Sequence, residues 1–270
     1  MTIPPAPPGD NEPQDAAYWA RISLFQVTRV PTGALNLNVE GRRVVGPLQG
    51  FGQMWQRTYR LHIPAVDMTP AEVMQVWKAN FVQFLPPKNR FYPVAGAIDP
   101  GDVLLINADF SGMPISTGVM VLYADEESFT LMTPQGHPES GWNTFSVYQA
   151  DDELICQIQS IARANDPLYE IGFRLLGSGV QERIWVHVLK ALEAHLQVEG
   201  QLSIDKVCVD PRVQWSEARN VWQNAALWTL LYTLATPLRW LNRLLSRQRQ
   251  SRSAEGGKPP ASGGPFPGDR

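Results

Sequence analysis

Between Trp55 and Ile63 the chain reads WQRTYRLHI, and its apolar and polar positions alternate: Trp55, Tyr59, Leu61 and Ile63 fall on one side, Gln56, Thr58, Arg60 and His62 on the other. Period-two alternation predicts a strand with one buried face. Arg57 interrupts the apolar side, which places it at the strand's mouth or beside a carboxylate. The next run, DMTPAEVMQVWKANFVQFLPP, changes period. Thr69 is an N-cap, Pro70 opens the first turn, and Glu72, three residues after the cap, completes a capping box. Val73, Met74, Trp77, Phe81, Phe84 and Leu85 share one helical stripe, and Pro86 and Pro87 end it.

From Asn89 the pattern breaks into short runs separated by turn signals, as in an antiparallel meander. DPGD at 99–102 leads into VLLINAD, STGVMVLYA meets the acidic turn DEES, and FTLMT precedes the loop TPQGHPESG. WNTFSVYQ then turns at Asp151 and Asp152 into ELICQIQSIAR, where Leu154, Cys156 and Ile158 alternate with Ile155, Gln157 and Gln159. This predicts five or six strands. A long helix follows in GVQERIWVHVLKALEAHL: Val180, Ile184, Val188, Ala191 and Leu192 form an apolar arc opposite Glu182, Lys190 and Glu193, with His195 inside the arc and His187 at its edge. Strand, helix, meander and closing helix make an α+β architecture, a curved antiparallel sheet gripping the long helix with a cavity between them.

The run Gly136, His137, Pro138, Glu139 and Gly141, followed by a strand and the GVQERIWVHVLKAL helix, resembles the G-H-P-E-x-G signature of the domain of unknown function nineteen-ninety, a branch of the START-like, polyketide-cyclase-like helix-grip superfamily. The likeness runs from about Phe51 to Leu196. Two stretches differ from that family: Trp142 and Asn143 stand where acidic residues are expected, and Ala164, Asn165, Asp166 and Pro167 where a Ser-Arg-Pro is expected. The resemblance implies a helix-grip fold and carries no reaction with it. The expected organisation is an N-terminal extension over 1–50, partly disordered, a helix-grip domain over 51–204, an amphipathic helical segment over 205–245 and a disordered tail over 246–270.

Composition narrows the function. A chain of 270 residues with 44% hydrophobic residues buries a sizeable core, and a net charge of −3 supplies no basic field to gather nucleic acid. Cys156 and Cys208 are too few for a zinc site or a disulfide framework, which fits a reducing cytoplasm. The first twenty residues read as neither a signal nor a transit peptide. No cofactor motif is found: the three glycines of VGPLQGFGQ are spaced G-x-x-x-G-x-G and lead into a strand. His187 and His195 are eight apart, without metal-ligand spacing, and no metal is expected.

His137 and Glu139 are the candidate acid/base pair, since a carboxylate orients an imidazole, although the same loop also reads as a plain turn and no nucleophile motif stands beside it. The cavity is expected to take a hydrophobic small molecule such as a lipid, isoprenoid or polyketide-like compound, with Arg57, Tyr59, Trp77, Phe81, Ile184, Val188 and His195 as its lining. A cyclase- or hydrolase-type enzyme using the same cavity, and an interaction domain without ligand, are the alternatives.

Past Asn220 the chain changes character. The nineteen residues to Leu238 carry no charge, close to the length of a membrane span. Yet Arg239, Arg243, Arg247, Arg249 and Arg252 follow on what would become the exported side. On a helical wheel Leu230, Leu231, Leu234, Leu238 and Leu241 oppose Thr229, Thr233, Arg239, Arg243 and Arg247. A basic amphipathic helix with Trp228, Leu231, Leu234, Trp240, Leu241, Arg243 and Arg247 suits an anionic membrane surface, which is the expectation for a cytoplasmic protein peripheral to the inner membrane face; packing of the same leucine face on the domain or on a second copy, and a true span, are the alternatives.

Overall fold

The computed structural model describes residues 18–21, 23–64, 67–95, 98–110, 113–176 and 179–236. Contacts divide the chain into two units, one ending at Thr229 and one beginning at Leu230. The expected tail over 246–270 and the expected membrane contacts Trp240, Leu241, Arg243 and Arg247 lie outside the described residues.

The first unit is built on one antiparallel sheet. In chain order its strands are β1 (Val44–Val45), β2 (Met54–Pro64), β3 (Asn89–Pro93), β4 (Val103–Phe110), β5 (Met113–Ala124), β6 (Ser128–Pro134), β7 (Glu139–Ala150), β8 (Glu153–Ala164) and β9 (Gln201–Asp210). They hydrogen-bond in the order β3-β4-β5-β6-β7-β8-β2-β9, with β1 on β6. The meander from β3 to β8 keeps sequence neighbours adjacent, and β2 closes it against β8. Helix α1 (Pro70–Asn80) fills the connection after β2, α2 (Pro167–Leu176) and α3 (Gly179–Leu196) the connection between β8 and β9, and α4 (Ala225–Leu234) comes last.

Local chemistry explains the elements. Thr69 Oγ1 accepts from the Glu72 N–H (3.3 Å) while Glu72 Oε2 accepts from the Thr69 N–H (2.8 Å), so the capping box closes reciprocally. The stripe behind it buries Val73, Met74 and Trp77 and continues through Phe81 and Phe84. Phe145 of β7 is the hub of this core: its ring stacks on Phe129 (4.5 Å) and meets Trp77, Phe81 and Trp185 edge-on. The α3 side chains buried in this core are Trp185, Val188, Leu189 and Leu192.

Register sorts the inner sheet face into rows. Phe129, Phe145, Ile158 and Tyr59 lie side by side across β6, β7, β8 and β2. Two residues along each strand comes a different row: Leu131, Asn143, Ser160 and Arg57. The first is core. The second, polar at three of four positions, borders the cavity described below.

Several expectations change. The boundary at 204 falls inside β9, which pairs with β2 over most of its length. Among the described residues before Phe51, Phe25 and Val39 are buried against Val103, Leu105 and Met120 on the outer sheet face. This explains why VLLI in β4 is a continuous apolar run, since Leu104 and Ile106 serve the inner core and Val103 and Leu105 the outer one. The segment after β9 is not one helix either; Trp215–Gln223 forms a 3-10 helix, and α4 starts only at Ala225. There the Asn224 side chain accepts from the Leu227 N–H (3.0 Å), capping the helix.

Candidate functional site

A cavity of about 140 Å³ lies between α3 and the inner sheet face. Its apolar wall comes from Phe91 of β3, Ile106 and Ala108 of β4, Ile115 and Val119 of β5 and Leu131 of β6; α3 adds Val180, Ile184 and Trp185. The polar part comes from Arg57 of β2, Thr117 of β5, Asn143 of β7, Gln181 of α3 and the turn residues His137 and Glu139.

Arg57 finds the partner its strand position demands. Its Nη1 lies 3.4 Å from Glu139 Oε1 and donates to Gln181 Oε1 at 2.9 Å, while Gln181 Nε2 donates to Glu139 Oε2 at 2.8 Å and to Ser160 Oγ at 3.3 Å. Guanidinium, carboxylate and carboxamide thus close a ring that joins β2, β7 and α3. Burial pushes the Glu139 carboxyl above the usual carboxylate range, against the pull of the Arg57 guanidinium.

His137 is arranged differently from the expected acid/base pair. Its Nδ1 faces the Glu139 main chain, 3.1 Å from the N–H and 3.0 Å from the carbonyl, and does not meet the Glu139 carboxylate. Burial drives the imidazole pKa down to about 4, so the ring is neutral near pH 7, and a neutral Nδ1 accepts the Glu139 N–H. The turn itself is held from behind. Gly136 has φ +86°, its carbonyl accepts from the Ala225 N–H (2.9 Å), and a Cβ there would stand 2.0 Å from the Gln223 carbonyl oxygen.

The run from Ala164 to Pro167, where a Ser-Arg-Pro was expected, has a structural role. Asp166 Oδ1 accepts from the Leu168 and Tyr169 N–H groups (2.9 and 3.1 Å), capping α2, and its Oδ2 accepts from Asn224 Nδ2 (2.9 Å). Ser140 of β7 donates to Asn165 Oδ1 at 2.8 Å. These two residues therefore tie the G-H-P-E turn, α2 and the start of α4 together.

Of the predicted lining residues, Arg57 and Ile184 stand on the cavity wall. Tyr59, Trp77, Phe81 and Val188 are packed in the core instead: Tyr59 sits in the Phe145 row, Trp77 and Phe81 meet the Phe145 ring from α1 and the turn after it, and Val188 is buried on α3. His195 lies on the exposed side of α3, its ring edge-on to Phe84 at 5.4 Å. The residues that sequence reasoning missed are Thr117, Asn143, Gln181 and Trp185. Thr117 and Asn143 had a usable signal: each is a polar residue on the inward-facing parity of a strand whose next inward residues are apolar. Among the described residues no group of three or more His, Cys, Asp or Glu is placed to hold a metal ion.

A second cleft, of about 270 Å³, shares Arg57, Glu139 and Phe173 with the cavity and adds Trp55, Arg163, Glu170, Arg174 and Lys206. The Arg57 guanidinium lies over the Trp55 ring, 5.9 Å from its centroid. Arg57 and Glu139 thus divide an apolar cavity from a charged cleft.

The sheet, its gripped helix and the cavity between them define a helix-grip α+β protein. No protein-family model and no curated protein matches the sequence. Solved structures that superpose on it include a START superfamily protein from Mycobacterium smegmatis, 17% identical over 54% of this chain and 98% of that one with a TM-score of 0.38. A conserved protein from Geobacillus kaustophilus is 11% identical over 54% of this chain and 98% of its own, with a TM-score of 0.40. The di-domain ARO/CYC StfQ from the steffimycin biosynthetic pathway is 10% identical with a TM-score of 0.39; 53% of this chain is covered, and only 50% of that longer protein.

Proposed function

We propose that this chain binds a hydrophobic small molecule in the cavity between α3 and the sheet. The observation that carries the reading is the cavity itself: about 140 Å³ of space inside an otherwise close-packed core, walled mainly by aliphatic and aromatic side chains. A space of that order takes a guest the size of a single ring. A larger lipid, isoprenoid or polyketide-like guest requires the wall to part, and the Arg57, Glu139 and Gln181 ring is the polar seam along which it parts. The G-H-P-E turn acts as a wall and a brace for Arg57 in this reading. Its likeness to the domain of unknown function nineteen-ninety is offered on the same footing.

The test is native mass spectrometry of the full chain with organic extraction of what co-purifies, followed by titration with small aromatic probes. A bound apolar mass, or saturable probe binding lost in Ile184→Asp, is the expected result. A protein that carries nothing and binds no probe would end the reading and leave an interaction domain with a filled core.

We further propose peripheral contact with an anionic membrane surface. Trp215 and Trp222 are 74% and 79% exposed, and Trp228, Leu231 and Leu234 also face solvent. The buried residues of α4 are Ala225, Ala226 and Thr229, and its leucines are exposed. Among the described residues no helix is long and apolar enough to cross a membrane. Flotation with anionic vesicles at low salt is expected to carry the wild type upward and to leave a Trp222→Ser, Leu231→Ser, Leu234→Ser variant behind. Equal behaviour of the two would remove this contact and the cytoplasmic, peripheral location built on it.

A further inference from the structure

Four polar atoms on side chains that line the cavity have no hydrogen-bond partner among the described residues: Arg57 Nε, Thr117 Oγ1, Asn143 Oδ1 and Trp185 Nε1. Their residues are 8%, 2%, 8% and 6% exposed. A buried polar group left without a partner costs free energy of the order of a lost hydrogen bond, so four around one small cavity need a common cause. Tyr59 and Trp77 also hold an unpartnered polar atom, but they stand in the core away from the lining of this cavity.

The placement of the four is not scattered. Arg57 and Asn143 belong to the same cross-strand row, on either side of Ser160. Trp185 stands one helical turn after Gln181, which bonds both Arg57 and Ser160, so the indole looks onto that row from α3. Thr117 closes the cavity from β5. The Arg57 and Trp185 N–H groups can only donate, the Asn143 oxygen can only accept, and the Thr117 hydroxyl does either.

From this set we infer that the guest is an oxygenated ring compound, of the phenol or hydroxy-ketone class, and that Arg57, Thr117, Asn143 and Trp185 read its oxygen positions. The inference rests on the ligand-binding reading above and specifies its chemistry. A hydrocarbon or plain acyl tail fills the space and leaves all four groups unpaired. A phenolic hydroxyl accepts from Arg57 or Trp185 and donates to Asn143 or Thr117, so one oxygen relieves both kinds of orphan.

The probes are p-xylene, p-cresol and hydroquinone, which share a shape and carry no, one and two oxygens. They are titrated by calorimetry or NMR into the full chain and into Thr117→Val and Asn143→Leu, each close in volume to the residue it replaces. In a wholly apolar cavity each added hydroxyl weakens binding, because its desolvation is uncompensated. The inference expects the opposite order in the wild type, with p-cresol binding at least as tightly as p-xylene. Each variant is expected to lower p-cresol affinity about five- to tenfold, the worth of one neutral hydrogen bond, and to change p-xylene affinity less than about twofold. Tighter binding of p-xylene than of p-cresol by the wild type overturns the inference while leaving the ligand-binding reading intact. Equal effects of the variants on both probes overturn it as well, by showing that the two side chains serve packing alone. Failure of all three probes to bind overturns both.

Discussion

At Gly136 there is no room for a side chain and no ordinary backbone conformation for one: φ is +86°, and a Cβ would approach the Gln223 carbonyl oxygen to 2.0 Å. Gly136→Ala is therefore expected to destabilise the protein by about 2 kcal/mol or more, combining left-handed strain with displacement of the α4 entry, as measured by urea denaturation. The neighbouring His137 supplies a pH prediction. Its pKa of about 4 against an ordinary 6.5 means that the fold resists protonating it. A depressed folded-state pKa contributes stability that is whole above the unfolded value of 6.5 and is lost as pH falls from there through about 4. The raised Glu139 carboxyl acts with the opposite sign at acid pH, so the clean readout is the ring itself. In ¹⁵N-edited NMR the His137 ring is expected to stay neutral at pH 5.5, with Nδ1 as the unprotonated acceptor. A His137 midpoint near 6.5 would show the ring to be solvated and the turn to be loosely held.

Elements show what the sequence states openly and what it does not. The T-P-A-E signal at 69–72 became the capping box of α1, and Thr69→Ala is expected to cost about 1 kcal/mol, read as a lowered thermal midpoint with the fold unchanged. Strands from β4 to β8 and helix α3 were equally legible, because burial on one face writes its period into the residues. β9 was not: QLSIDKVCVD lies at the sheet edge with most of its side chains exposed, so little burial pattern marks it. α2 was missed because Asp166 caps it within a run read only as a departure from a family motif. The site was half legible for a related reason. Alternation puts Arg57 and Tyr59 on the same face and cannot say that the row of one borders a cavity while the row of the other is sealed by Phe145. That distinction depends on where α3 crosses, a long-range fact that helical spacing in Trp77, Phe81 and Val188 does not encode.

In the whole molecule, distant segments are held to the sheet by a few buried polar hubs. Arg163 of β8, 2% exposed, is the largest of these. Its Nη1 donates to the carbonyls of Gly52 (2.6 Å) and Arg212 (2.8 Å), and its Nη2 to Asp210 Oδ2 (2.6 Å). One guanidinium thereby fastens the approach to β2 and the end of β9 to the same strand, and holds the Asp210 carboxyl far below its usual range together with Arg212. Gly50 of VGPLQGFGQ makes room for it, since a Cβ there would stand 2.8 Å from the Arg163 Cβ. Replacing Arg163 by Met keeps the stem's volume and removes every one of these donors, leaving the Gly52 and Arg212 carbonyls without them, while Asp210 keeps its bonds to Arg212. A buried acceptor left without its donor costs about 1–3 kcal/mol. Because the lost bonds converge on the edge strand, the damage is expected to be directional. In hydrogen exchange of Arg163→Met, amides of β9 should lose protection well before those of β7 and β8, whose ladders are paired on both sides. Uniform loss of protection across the sheet would mean that β9 is held by its pairing with β2 alone, and that Arg163 contributes only to global stability.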